Sequence, residues 1–453
     1  MSRSRFSGMF GFSMVWFGQV VSLLGSGMTQ FALTIWAWQM TGGATALALV
    51  AFFGYFPRIL FTPLAGALVD RWNRKLVMIL SDLAAGLGTV AIFILYQLDL
   101  LQIWHLYAAA AFSGAFGSFQ FPAYSASISL MLPKKHFTRA NTMLGLAHSS
   151  STVFAPMAAG ALLAFIGIGG IMVIDIVTFS FAILTLLVVA IPQPAEHHVA
   201  EARKRNLLSD CAFGFKYIAA SRSLLGLLLL YFVLNLLLSS SGGVLAPMIL
   251  ARTGNDELIL GTVMMLFGVS GIVGGSLVSI WGGPKRKMYA LFLAVIVTSL
   301  FGNVILGIGR NVLIWGVGAF LTSILLPMGN GASHAIWQTK IPPHLQGRVF
   351  SARILIGQIG GAVALPMAGI LADRVFEPLM NGSSRLAQPL SILVGSGPGA
   401  GMGLMFVFFG LLGTLAVVAG FSYRPVREIE TILPDYDELD EVPSEEEDSA
   451  SMP

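Results

Sequence analysis

Only 11% of the 453 residues carry charge, so the few charges inside long apolar stretches mark where chemistry can happen. Arg58 lies within the apolar run 44–69, Asp82 in the next run and Asp175 in a later one. A guanidinium in hydrocarbon stays charged and needs an anion, a carbonyl cluster or water beside it. A carboxylate there serves as a structural partner or carries a proton. Arg58 stands about twelve residues, roughly 18 Å of helix, from the charged end of its run, near mid-bilayer depth. A second group is the hairpin PLAGALVDRWNRK, Pro63 to Lys75, which ends in Asp70, Arg71, Arg74 and Lys75 one turn after Gly66. Basic residues in such a hairpin are a topology signal. A carboxylate at a helix end can also bind the positive N-terminal end of another helix, so Asp70 is a candidate for a switchable contact. Gln30, Asn235, Asn330 and His334 are neutral groups in apolar runs, able to bond a ligand or each other. One cysteine, Cys211, and two acids in the runs leave no metal cluster, no cofactor site and no enzyme chemistry to expect. No G-x-x-x-x-G-K-[ST] loop is present, which argues against ATP-driven pumping.

The elements that must hold these groups are membrane helices. At 56% hydrophobic content over 453 residues the chain is too apolar for a soluble protein. Runs long enough to span occur at about 10–38, 44–69, 76–97, 104–131, 141–166, 168–191, 223–250, 258–282, 288–309, 312–338, 349–372 and 400–422. The expected fold is therefore an all-α integral membrane protein with twelve transmembrane helices in two six-helix halves. The division places one half at 1–191, a connector at 192–222, the second half at 223–423 and an acidic, disordered tail at 424–453. In the connector Leu208, Cys211, Ala212, Phe215, Ile218 and Ala219 recur at helical spacing, which predicts an amphipathic helix lying in the membrane interface.

Counting Lys and Arg by loop puts 20 of the 26 on the side that holds both termini and the 2–3 hairpin, and four (Arg252, Arg310, Arg374, Arg385) on the other. That bias places both termini in the cytoplasm. The halves repeat: Gly66, Leu68, Val69 and Trp72 align with Gly275, Leu277, Val278 and Trp281, with Ser279 standing where Asp70 does. Such a repeat predicts two parallel bundles about a central cavity. The segment PMAGILADR, Pro366 to Arg374, mimics PLAGALVDR but ends on the outside by the charge count, and is read as helix 11.

The hairpin resembles the loop 2-3 signature G-x-L-A-D-R-x-G-R-K-x-x-L of the major facilitator superfamily, with Val69, Asn73 and Met78 departing from it. The stretches Phe56 to Arg71, Phe121 to Gly145, Asp175 to Ala182 and His344 to Arg353 resemble the branch that holds macrolide-efflux permeases and the enterobactin exporter. The resemblance implies secondary active export of a bulky hydrophobic or amphipathic molecule of drug, macrolide or siderophore type, coupled to protons or another ion. It implies a conformational latch at Gly66, Asp70, Arg71, Arg74 and Lys75, with Asp70 meeting helix 11 near Gly347 and Arg348. It also places Gln30, Asn235, Asn330 and His334 around the cavity. Arg58, Asp82 and Asp175 are the buried-charge or coupling residues. Arg58 either pairs with one of the two acids or lines the cavity; helix 2 at the cavity's side favours pairing, and Asp82 can anchor Arg71 or Arg74. Two features depart from the drug/proton antiporters: helix 4 has no Arg, and Ala155 replaces Gly before Pro156. The expected partners are a small-molecule substrate, a coupling ion and membrane lipid, with no nucleic acid, in a monomer of the plasma membrane, the bacterial inner membrane. The alternative is a lipid or lysolipid flippase of the same fold.

Overall fold

The computed structural model describes residues 8–69, 72–191, 207–381 and 387–436. Asp70 and Arg71 lie outside the described residues. The chain forms α1 (Gly8–Thr41), α2 (Ala44–Val69), α3 (Arg74–Gln97), α4 (Ile103–Met131), α5 (137–166) and α6 (168–188). The second half comprises α7 (Arg222–Thr253), α8 (Glu257–Trp281), α9 (Lys287–Ile308), α10 (Val312–Lys340), α11 (Pro343–Leu371) and α12 (Ala400–Ser422). Twelve helices in two sets of six reproduce the expected fold. Gly167 alone separates α5 from α6, and its φ of 64° is one that a glycine adopts without strain. A π-helical stretch, Val297–Asn303, interrupts α9, and a second, Ala372–Phe376, extends α11.

With lipid outside and no water to drive association, the helices pack through small residues. A Cβ added to Gly25 of α1 would lie 2.1 Å from the Thr178 hydroxyl of α6, and one on Gly114 of α4 would lie 2.2 Å from the Gly54 carbonyl of α2. The 2–3 hairpin is fixed by its own polar groups. Asn73, where the signature has Gly, accepts a hydrogen bond from the Leu76 N–H at 3.1 Å and so caps α3. Lys75 donates to the carbonyls of Leu187 and Val189, both at 2.9 Å, where a cation suits the C-terminal end of α6.

The connector helix, Leu207–Ala220, forms as its spacing predicts, but only part of the apolar stripe is buried against the protein. It buries Gly214 and Ile218 against α11, where a Cβ on Gly214 would meet the Arg348 carbonyl at 2.3 Å, while Ala212, Phe215 and Ala219 stay exposed. Backbone contact with α11 selects the face carrying glycine.

The tail from 424 also departs from the expected disorder. Turns at Arg424–Arg427 and Ile429–Ile432 dock under the second half, with Val426 and Ile429 buried. The Glu430 carboxylate accepts the N–H groups of Lys287 and Met288 at 3.0 and 3.1 Å and caps α9. Lys340 donates to the carbonyls of Glu430 and Leu433 and pairs with Asp435 at 2.7 Å. The acids after Tyr436 lie outside the described residues. Truncation after Tyr436 is expected to leave thermal stability unchanged. Removal of Glu428 to Pro453 costs about 3 kcal/mol or more, from one helix cap and one buried Ile, which melting of the detergent-solubilised protein measures.

Candidate functional site

Among the described residues the two halves share a core at one end. One continuous apolar cluster joins Phe31 and Ile35 of α1, Ala155 of α5, Met248 of α7, Leu260 of α8 and Ala368 of α11 at the end where α1 turns into α2. At the 2–3 end each half keeps a separate core. Along α5 and α8 contact runs from Gly160 beside Glu257 to Val153 beside Gly268, and then stops. Beyond it a cleft of about 800 Å³ opens between the halves, lined by residues such as Gly145, Leu146, Gly271 and Ile272.

The closed end is held by a carboxylate that sequence reasoning had placed in a decoy. Asp373, just past α11, accepts the Ala44 N–H on one oxygen at 2.9 Å and the Thr45 N–H on the other at 2.8 Å. Those are unpaired donors at the N-terminus of α2, where negative charge is favoured. Gly369 permits the approach, since a Cβ there would lie 2.7 Å from the Thr45 Cα. Further along, Tyr55 of α2 packs beside Gly361 of α11, so the two helices run antiparallel. Trp38 donates to Asn255 at 2.8 Å across the same closed end.

The membrane acids sit inside the first half. Asp175 of α6 accepts the hydroxyls of Ser26 and Thr89, both at 2.9 Å, and is 2% exposed. Asp82 of α3 is buried too, accepting Gln19 Nε2 at 2.7 Å and Gln120 Nε2. Among the described residues neither pairs with Arg58, so the expected pairing is not made; Asp82 takes amide donors, and Arg71 lies outside the described residues. Neutral donors from α1, α3 and α4 bind both carboxylates.

Arg58 is exposed and forms no ion pair with a described carboxylate. At 100° per residue it falls between Tyr55, which packs beside Gly361 of α11, and Gly54, which packs on Gly114 of α4. Phe56 and Leu60, on the opposite arc, are the exposed apolar positions. Arg58 therefore faces the space between the halves. Gln30 is placed alike, between Gln19, bonded toward α4, and Gly27, packed on α5.

Across the cleft, Tyr231 of α7 donates to Asn330 of α10 at 2.8 Å, and Ser239 donates to Asn235 at 3.3 Å. Arg353 of α11 is buried, donates to the Ser333 hydroxyl at 2.9 Å and stacks on Tyr231 and Trp337 at 5.5 and 5.1 Å. His334 is exposed beside them. Tyr231, Asn235 and Asn330 also border a cavity of about 80 Å³ that reaches the π-helical stretch of α9. The structure thus gathers Asn235, Asn330 and His334 on one side and sets Gln30 and Arg58 on the other. Arg353 and Asp373 were missed as site residues, although the repeated P-x-A-G-x-L-x-D-R pattern at Pro63 and at Pro366 was a signal for Asp373.

Two six-helix halves, joined at one end and parted about a cleft at the other, define a membrane transporter. The sequence model of the Major Facilitator Superfamily matches residues 15–365, and the chain belongs to that superfamily. It is 25% identical over 378 residues to macrolide efflux protein A of Streptococcus pyogenes, spanning 80% of this chain and 90% of that one. It is 24% identical over 374 residues to the multidrug efflux pump Tap of Mycolicibacterium fortuitum, spanning 80% and 88%. In fold it is similar to a bacterial homologue of the human lysosomal transporter Spinster, solved inward-facing and unoccupied, with a TM-score of 0.67 and 14% identity over 93% of this chain and 98% of that chain.

Proposed function

We propose that this protein exports a bulky hydrophobic or amphipathic organic molecule across the bacterial plasma membrane by alternating access, as a monomer driven by protons or another ion. The observation that carries the reading is the cleft open at one end between halves that share a core at the other. The charge bias assigns the open end, and both termini, to the cytoplasm, so the structure corresponds to an inward-facing state. The efflux named for the relatives supports the direction. Asp82 and Asp175 are the candidates for the coupling step.

Alternation needs two closures, and α2 and α11 carry the same nine-residue pattern at their C-terminal ends, P-x-A-G-x-L-x-D-R. Asp373 locks the outer end on the α2 N-terminus. Asp70, with Gly66 for close approach and Arg71, Arg74 and Lys75 around it, locks the inner end on the α11 N-terminus when the cleft closes. Because the helices are antiparallel, rocking one against the other makes one lock as it breaks the other.

The cleft between α5 and α8, lined by glycine, aliphatic and hydroxyl side chains, also favours entry of an amphiphile from the inner leaflet, which keeps the lysolipid flippase as a second reading. Proteoliposomes loaded with rhodamine 6G or a fluorescent lysolipid test both. Movement of dye that stops with an uncoupler supports export. Lysolipid movement indifferent to the gradient supports flipping, and movement of neither of these nor of an anionic dye sinks the transport reading.

A further inference from the structure

Resting on the exporter reading, the geometry points to a binding site for an anionic group, shared between Arg58 of one half and the Arg353–His334 corner of the other. The preferred substrate is then an anionic amphiphile bearing a carboxylate, sulfonate or phosphate.

The argument is one of charge placed in a low dielectric. Four charged side chains lie deep in the described spans, and the two acids, 5% and 2% exposed, are closed off inside the first half by hydroxyl and amide donors. The two cations are arranged otherwise. Arg58 is exposed on the arc of α2 between its α4 and α11 contacts, and Arg353 has neutral company among the described residues: the Ser333 hydroxyl and the faces of Tyr231 and Trp337. Neither forms an ion pair with a described carboxylate. An uncompensated guanidinium at this depth is costly, and an incoming anion offsets that cost where a cation would add to it.

The two sites lie at neighbouring depths on antiparallel helices. Tyr55 and Gly361 approach each other at the α2–α11 seam. From that level Arg58 lies about 4.5 Å, and Arg353 about 12 Å, toward the open end at 1.5 Å per residue. Along the helix axes the two positions differ by about 7 Å, an offset that two long side chains and a bidentate group can cover. Asn330 and the Tyr231 hydroxyl, bonded to each other at 2.8 Å, and the exposed His334 supply further donors on the same side. An anion held by both halves also favours their approach, which gives binding a way to promote closure of the inner end.

Thermal stabilisation of the purified, full-length protein tests the site with defined probes. The anionic dye 8-anilinonaphthalene-1-sulfonate and lysophosphatidylglycerol are the anions; rhodamine 6G and lysophosphatidylcholine are the cationic and zwitterionic controls. The anions are expected to stabilise the protein, and the controls to do so at least tenfold more weakly by apparent Kd. Arg58→Gln, at an exposed position whose loss does not disturb packing, is expected to weaken anion binding about tenfold or more, the loss of one charge-assisted bond. His334→Gln is expected to weaken it less. Stabilisation by the sulfonate alone assigns the anion to a soluble substrate; stabilisation by lysophosphatidylglycerol assigns it to a lipid headgroup. Preference for rhodamine 6G, no stabilisation by either anion, or anion binding unaltered in Arg58→Gln overturns the proposal. Uncoupler-sensitive rhodamine efflux in that case leaves the exporter reading standing.

Discussion

Asp373→Asn is expected to release the outer end and move the resting population toward the outward-open form. The carboxylate now accepts one N–H on each oxygen at the α2 N-terminus, at 2.9 and 2.8 Å. Asn keeps one acceptor oxygen, turns the other position into a donor facing a donor, and loses the charge. A half-exposed charge–dipole contact of this kind is worth about 1–2 kcal/mol, so the ratio of the two forms shifts by roughly tenfold. Labels at Gln39→Cys and Glu257→Cys, whose native side chains approach to 3.4 Å across the closed end, report the change after Cys211→Ser removes the single native cysteine. The variant should show a larger long-distance fraction by pulsed electron resonance. Asp70→Asn should do the reverse, holding the inward form and strongly reducing transport at normal expression. An unchanged distance distribution in Asp373→Asn, or wild-type transport in Asp70→Asn, would remove the corresponding lock.

The helical spans, their number and the two-half plan were legible because a membrane helix must satisfy its backbone internally and present apolar side chains over its whole length. What was not legible depended on which faces meet. Asp175 and Asp82 were plain as buried acids, yet their partners come from helices far apart in sequence, with Ser26 lying 149 residues from Asp175. Arg58 was recognisable as an unusual charge, but its direction follows from the contacts of Gly54 and Tyr55 on two different neighbours. The docked segment from Arg424 was masked by the acids that follow it, since composition averages over a boundary that Ile429 and Glu430 define by touching α9 and Lys340. Asp373 was discarded by orientation, correctly as a loop signature, while its place at the opposite end of an antiparallel pair is what gives it a role.

Arg252 illustrates the same limit, and its replacement is expected to give the largest loss of stability in the second half. The loop count recorded it only as one of four basic residues on the outer side. In the structure its guanidinium donates to the carbonyls of Gly399 and Gly307 at 3.1 Å, Val394 at 3.0 Å, and Gly309. It therefore ties the ends of α7 and α9 to the start of α12. Glycine makes the slot: a Cβ on Gly403 would lie 1.9 Å from Nη2. Beside it Glu377 accepts the N–H groups of Gly399 and Met402 at 3.3 and 3.0 Å, so both polar groups of the Gly399 turn are bound by side chains. Arg252→Met takes this donor from the Gly307, Gly309 and Val394 carbonyls in a half-buried site, at about 1–3 kcal/mol for each one that water cannot reach, while the Gly399 carbonyl keeps the Gly403 N–H at 3.0 Å. Loss of two such bonds already amounts to about 2–6 kcal/mol. Lys offers three donors on one nitrogen and cannot span the same fork, so Arg252→Lys should melt between wild type and Arg252→Met. Gly403→Ala should resemble Arg252→Met, because the added methyl displaces the guanidinium without altering its charge. Melting of the three variants in detergent decides the matter: an Arg252→Met protein as stable as wild type would mean that water replaces the guanidinium at no cost.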